Sequence, residues 1–242
     1  MIVTVTPNPA WDVTYEVPAL VPGEVHRVTS VHRRLGGKGV NVARVLAAIG
    51  RAAVAVLPGP EGLAAEAGLD TPPGRPGGEA GTLLRCDVVS GLPVIRQTLV
   101  VHGGDGTTTS LWEPGVTPDP GAEEALERGV GAWLHPDGTG SATTETATTE
   151  FGTTGSATTG TTAAGIVISG SLPPGVNLRC HARLAAMALA AGVPALVDTS
   201  GEALAHAAAV PGVVLAPNAA ELTQLTGRDC RDPDVAAAAA RD

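Results

Sequence analysis

The chain has 242 residues, 43% of them apolar and 16% charged, with aromatics at 2% and a net charge of −9. That balance describes a globular protein with a core of Ala, Val and Leu, and it excludes a general nucleic-acid surface, which needs clustered Lys and Arg, while leaving room for a local basic pocket. No membrane span is expected, because the apolar run 184–197 is short and broken by Gly192 and Pro194; three scattered cysteines without metal spacing and a first segment without a basic start fit a cytoplasmic protein with reduced thiols.

In chain order, "MIVTVT" (1–6) reads as a buried first strand and "WDVTYEV" (11–17) as a half-exposed one, since it alternates apolar and polar residues. Val42, Val45, Leu46 and Ile49 recur at helical spacing and predict one buried helix face ending at Gly50. "AAVAVL" (52–57) is a buried-strand candidate, whereas 58–82, rich in Gly, Pro and Glu, carries little signal. Residues 93–112 predict two strands around a Gly-Gly-Asp-Gly turn, and 121–134 a helix interrupted by glycines.

Residues 137–163 break the pattern: twelve of the 27 are threonine, and "GSATT" occurs twice. Such a composition cannot build a core, so a duplicated, disordered surface insertion is expected. Order returns at "GIVISGSLPPG" (165–175), followed by a helix over 178–191, a strand and loop "VPALVDTSG" (193–201), a helix over 202–209, a strand "GVVLAPN" (212–218) and a helix over 219–227. Strands alternating with helices imply parallel βα units with helices on both faces. In such sheets the ligand crevice lies beyond the carboxyl ends of the strands. "SGSLPPG", "DTSG" and "PNAAE" all fall at that edge.

Lys38 is the single lysine of the chain, against fourteen arginines. It stands in "LGGKGVNVARVL", where Gly36, Gly37 and Gly39 permit close backbone approach and the following helix turns its N–H groups and positive dipole end toward the loop. With the mobile ammonium added, this is an anion site suited to phosphate; a glycine-rich turn with a solvated lysine is the other reading. Asn41, one turn on, can bond a hydroxyl. The Walker pattern fails because Gly39 follows the lysine. No G-x-S-x-G elbow exists for Ser-His-Asp hydrolysis, and the six histidines lack H-x-x-x-H spacing and read mostly as surface residues. Asp12, just past the first strand, suits sugar hydroxyls or is a plain strand-edge carboxylate. Arg96 offers a bidentate fork for phosphate or a solvent-facing strand arginine. Asn218 and Glu221, three apart, suit either a water-rich Mg²⁺ shell beside phosphates or a helix-capping pair.

Taken together, "TVTPNPAWDVTYEV", "GGKGVNVARVL", "DGTTTSLWEPG", "ISGSLPPGV", "VDTSGEAL" and "APNAAELTQLTG" resemble, in family order, the phosphofructokinase-B branch of ribokinase-like sugar kinases, with 1-phosphofructokinase and tagatose-6-phosphate kinase as the nearest types. The resemblance implies an α/β three-layer sandwich with a mostly parallel central sheet and a small β lid (about 11–28 and 93–113), as one domain. It implies transfer of the ATP γ-phosphoryl group, with Mg²⁺, to a phosphorylated ketohexose such as fructose 1-phosphate, and it admits a homodimer through the lid. By position, Asp12 would bind sugar hydroxyls, Gly36, Gly37, Lys38 and Asn41 would line the sugar-phosphate site, and Arg96 would reach the substrate phosphate. Asn218 and Glu221 would match the N-x-x-E motif that organises Mg²⁺ and nucleotide phosphates.

The chain departs from the family pattern at Trp112, where the family carries Asn, at Gln97 and Thr98, and at Ala216, where it carries Lys. The family's later strands and its G-A-G-D loop, with the aspartate that deprotonates the acceptor, are not found in the 242 residues. The resemblance therefore implies a C-terminally incomplete kinase, with a sugar-phosphate-binding chain that does no chemistry as the alternative expectation.

Overall fold

The computed structural model describes residues 1–69, 83–135 and 163–240. The threonine-rich stretch, expected over 137–163, lies outside them except for Ala163, which is buried in the core.

The large sheet contains β1 (Ile2–Val5), β4 (Ala53–Pro58), β5 (Leu84–Val89), β8 (Gly165–Ser169), β9 (Ala195–Asp198) and β10 (Val214–Leu215). Their order is β10-β9-β8-β1-β4-β5, and every pairing is parallel. The central strands β1, β4 and β8 are almost wholly apolar on both faces, as a sheet covered on both sides requires, while β5 also carries Arg85 and Asp87. Alternation along β4 divides the core: Val54 and Val56 face one layer, while Ala53, Ala55 and Leu57 face the other. The first layer is closed by α3 (Ala122–Leu134) and α4 (Cys180–Ala190), through Leu126, Val130, Leu184 and Ala188. The second is closed by α1 (Lys38–Ala48) and α2 (Leu63–Glu66), together with Trp11, Val13 and Leu35 from the small sheet. Further helices are α5 (Gly201–Ala208), α6 (Ala219–Thr226) and α7 (Pro233–Ala239). Among the described residues, no helix is long and apolar enough to cross a membrane.

The small sheet has the order β3-β2-β6-β7, formed by β2 (Ala10–Val17), β3 (Ser30–Gly36), β6 (Arg96–Gly103) and β7 (Thr108–Trp112). Of the segment expected to form strands over about 11–28, β2 occupies the first part, and the strand that pairs with it, β3, lies beyond that segment at 30–36. Helix α2, in the stretch that carried little signal, strand β5 just after it, and helix α7 were not anticipated from the sequence.

Helix α1 forms where expected but buries a different face. Gly39, Val40 and Ala43 point inward, whereas Val45 and Ile49 are 61% and 67% exposed. The glycine decides this rotation. A Cβ on Gly39 would stand 2.5 Å from Thr6 Oγ1 and 2.7 Å from the Val5 carbonyl oxygen, so the helix start lies directly on the end of β1.

Candidate functional site

The residues that carry the anticipated chemistry gather where the two sheets meet. The loop after β1 makes the floor. There the Thr6 hydroxyl accepts the Val40 N–H at 3.0 Å, satisfying one of the free donors at the start of α1. Gly37 precedes the helix at φ +106°, in the region that favours glycine, and a Cβ there would meet Thr6 Cγ2 at 2.6 Å. Lys38 opens the helix, so its ammonium and the helix N-terminus address the same space.

A cavity of about 1290 Å³ opens there, and its lining includes Asp12, Gly37, Lys38, Asn41, Arg96 and Glu221. Six of the eight anticipated site residues therefore share one wall. Gly36 serves from behind: a Cβ at Gly36 would fall 2.1 Å from Asp12 Oδ2, so the bare glycine makes room for that carboxylate. Asn218 is also set back from the lining, at the start of α6.

Asp12 is built into a polar network. It accepts the Thr98 hydroxyl at 2.7 Å on Oδ1, while Arg34 Nε stands 4.0 Å from Oδ2. Arg96 donates from Nη1 to the Glu113 carbonyl at 2.8 Å, and its buried Nε has no partner among the described residues. Burial lowers the Arg96 pKa, with Asp12 and Glu113 opposing the shift. Arg44, beneath them, is lowered by burial and then by the neighbouring charge of Arg34. Lys38 donates to Asp198 Oδ1 at 2.9 Å, which joins α1 to the end of β9.

The pair Asn218 and Glu221 forms the capping arrangement in full. Asn218 Oδ1 accepts the N–H groups of Ala220 and Glu221 at 3.0 Å, and Glu221 Oε2 accepts the Asn218 N–H at 2.9 Å. The cap still leaves Glu221 on the cavity wall. Among the described residues no group of three or more His, Cys, Asp or Glu gathers to hold a metal. One carboxylate beside an anion site fits a Mg²⁺ ion held mainly by phosphate and water, not an all-protein cage.

Three participants escaped the sequence reading. Asn8 is buried and donates from Nδ2 to the Pro114 carbonyl at 3.1 Å and to Ser171 Oγ at 3.2 Å, tying the end of the small sheet to the loop after β8. Its place in "TPNP" after a strand was the available signal. Arg34 follows from strand alternation once β3 is known, because it sits opposite Asp12. His181 is the exception among the histidines: it is fully buried on α4, with Nε2 at 3.1 Å from the Gly170 carbonyl oxygen. The Thr199 hydroxyl donates to the same oxygen at 3.0 Å, and Gly170 N–H donates to the Asp198 carbonyl at 2.9 Å. The three cysteines are buried and free, and burial pushes the Cys86 and Cys180 thiols up to about 12.

No family model matches the chain. Among curated proteins it is 33% identical over 244 residues to a 1-phosphofructokinase of Xanthomonas campestris, covering 98% of this chain and 66% of that one. It is 31% identical over 253 residues to ATP-dependent 6-phosphofructokinase isozyme 2 of Escherichia coli, covering 100% and 67%. The chain thus spans about two thirds of the length of these relatives. Among solved structures, E. coli phosphofructokinase-2 in complex with fructose-6-phosphate superposes with a TM-score of 0.74 at 27% identity, over 99% of this chain and 68% of that one. Arabidopsis thaliana ribokinase, at 18% identity and a TM-score of 0.54 over 99% of this chain and 67% of its own, shares the fold. Matched along its whole length and carrying the parallel sheet, small lid and glycine-lysine helix start, the chain belongs to the PfkB family of ribokinase-like sugar kinases.

Proposed function

We propose that this chain forms the sugar-phosphate-binding part of an ATP-dependent kinase that converts fructose 1-phosphate to fructose 1,6-bisphosphate. The observation that carries this reading is the placement of Lys38, at the start of α1, in one cavity with Asp12, Asn41 and Arg96. A positive pole for phosphate thereby stands beside acceptors for hydroxyls. Lys38 and the α1 amides hold the substrate phosphate, and Arg96 adds a second cation from the lid. Asp12, oriented by Thr98 and Arg34, accepts from sugar hydroxyls. In the reaction the acceptor oxygen attacks the γ-phosphorus in line, the bond to ADP breaks, and the hydroxyl proton passes to a base. Glu221 would hold Mg²⁺, whose chemistry is to neutralise charge on the nucleotide phosphates. A homodimer through the lid belongs to the same proposal, supported by Val31 and Leu111, exposed on the side of the small sheet away from Asp12.

A second reading, binding without turnover, draws on one specific observation. Asp198, the carboxylate beside the phosphate site, is engaged by Lys38, and Asp12 is engaged by Thr98. Each of these carboxylates already accepts from a protein donor on Oδ1.

Calorimetry with fructose 1-phosphate, fructose 6-phosphate, tagatose 6-phosphate and free fructose tests the assignment, with ADP release from MgATP as a second arm. Fructose 1-phosphate is expected to bind tightest. Lys38→Ala should weaken phosphorylated ligands about ten- to a hundredfold, the worth of a charge-assisted contact of roughly 1.5–3 kcal/mol, and leave free fructose unchanged. Equal losses for both remove the phosphate role from Lys38. Tightest binding of tagatose 6-phosphate reassigns the sugar, and binding without ADP release selects the second reading.

A further inference from the structure

The chain has three tryptophans. Trp11 is buried, with the Arg33 guanidinium 3.7 Å from its ring centroid. Trp133 donates its indole N–H to Asp87 Oδ2 at 2.8 Å. Trp112 is 74% exposed. Leaving so large an apolar surface in water is unfavourable, and aromatics are scarce in this sequence.

The register of the small sheet shows where Trp112 stands. Arg34 is opposite Asp12, Asp12 is opposite Thr98, and Thr98 is opposite Trp112. Directly opposed residues share a face, so these four form one row across β3, β2, β6 and β7. All four line the cavity that holds Lys38 and Asn41. With strands about 4.8 Å apart, the row runs from cation through carboxylate and hydroxyl to indole. Leu111, also exposed, lies on the other face, that of Leu99, Val13 and Trp11.

A ketohexose has two kinds of surface: hydroxyls, which bond to a carboxylate and its hydroxyl neighbour, and a face of C–H groups, which packs against the electron-rich face of an aromatic ring. The row offers both, in adjacent positions. We propose that Trp112 is a sugar-contacting specificity residue, its indole covering the C–H face of the ketohexose whose hydroxyls are read by Asp12. This rests on the sugar-phosphate reading above and adds a contact to the sugar body, not to the phosphate.

The test combines indole fluorescence with affinity. The emission of the chain is titrated with fructose 1-phosphate and, in parallel, with inorganic phosphate, for the wild type, Trp112→Ala and Trp112→Phe. Fructose 1-phosphate is expected to change the emission and protect it from iodide quenching in the wild type, and to do neither in Trp112→Ala. By calorimetry, Trp112→Ala should bind fructose 1-phosphate about tenfold more weakly and Trp112→Phe within about threefold of wild type, with inorganic phosphate affinity unchanged in both. Unchanged sugar-phosphate affinity in Trp112→Ala overturns the proposal, as does an equal loss for inorganic phosphate. So does dissociation of an oligomer by Trp112→Ala with sugar binding intact, which would make Trp112 an interface residue. A wild-type chain that binds inorganic phosphate but gains nothing from any ketohexose body overturns the sugar-phosphate reading itself, and the proposal with it.

Discussion

At the scale of the residue, His181 is a group whose charge state the fold dictates. It is fully buried on α4, and its buried Nδ1 has no partner among the described residues. Burial depresses its pKa to about 4; the bond to Gly170 and the charge of Asp198 oppose that shift without cancelling it. The neutral ring donates from Nε2 to the Gly170 carbonyl, and so helps fix the loop beneath Lys38. The unfolded chain takes up a proton near pH 6.5 and the folded one only near 4, so between these values the unfolded state binds more protons. The stability His181 contributes is therefore complete above about pH 6.5 and is lost as pH falls toward 4, by about 3 kcal/mol over that interval. Urea unfolding at pH 7.5 and 4.5 should show a wide gap in midpoint for the wild type and a narrower one for His181→Leu. An equal gap in both would show that His181 does not titrate in this way. The sequence did not reveal this histidine, because a lone His in "RCHARL" has the same local pattern whether it is buried or exposed.

At the scale of the element, α1 shows what a sequence makes legible and what it conceals. A helix following the glycine loop was readable from the glycines, and its end from the apolar spacing ending at Gly50; the structure starts it one step earlier than that reading, at Lys38 itself. Its inward face did not follow. Spacing ranks faces by hydrophobicity, and the Val42, Val45, Leu46 and Ile49 stripe ranks highest; contact is set instead by how close the helix can come to β1. Gly39 faces inward where a Cβ would strike Thr6 and Val5, and Val40 and Ala43 are buried with it. The same logic predicts a large penalty for one methyl group. Gly39→Ala places a carbon against backbone at Val5, so α1 must lift, at a cost of about 1–3 kcal/mol. Thermal unfolding should show the loss, and phosphate affinity should fall with it because Lys38 and the helix amides move together. A melting temperature equal to wild type would mean that the helix seats less closely than described. The capping box at Asn218 and Glu221 was readable as a pair from the sequence, as was a place for Glu221 beside the ligand; that Asn218 is set back from the lining while Glu221 reaches it depended on the packing of α6 and was not.

At the scale of the whole molecule, the alternation of strands and helices sufficed to assign a parallel sheet, because each unit announces itself locally. The small sheet was harder to delimit. Its β3, "SVHRRLG", carries two arginines and a histidine, all three lining the cavity, so it lacks the apolar alternation that marks a strand. The junction around the threonine-rich stretch is informative through its ends. Ala163 N–H donates to the Trp133 carbonyl at 3.4 Å, so the chain leaves and re-enters the core at one point. Removing residues 138–161 should therefore leave stability nearly unchanged, since closure entropy varies slowly with loop length. A large fall in melting temperature for that deletion would show that the segment packs on the core. The position of β1 has a further consequence for how the chain is made. Its two neighbours are β4 and β8, whose pairing partners for Ile2 are Ala53 and Gly165. During synthesis β1 can gain its β4 neighbour early, but waits for more than a hundred further residues, roughly 6–22 s of translation at 5–20 residues per second, before its other edge is covered by β8. Over that interval the centre of the future sheet is an open strand edge, and the nascent chain depends on helpers or on speed to keep it from pairing elsewhere.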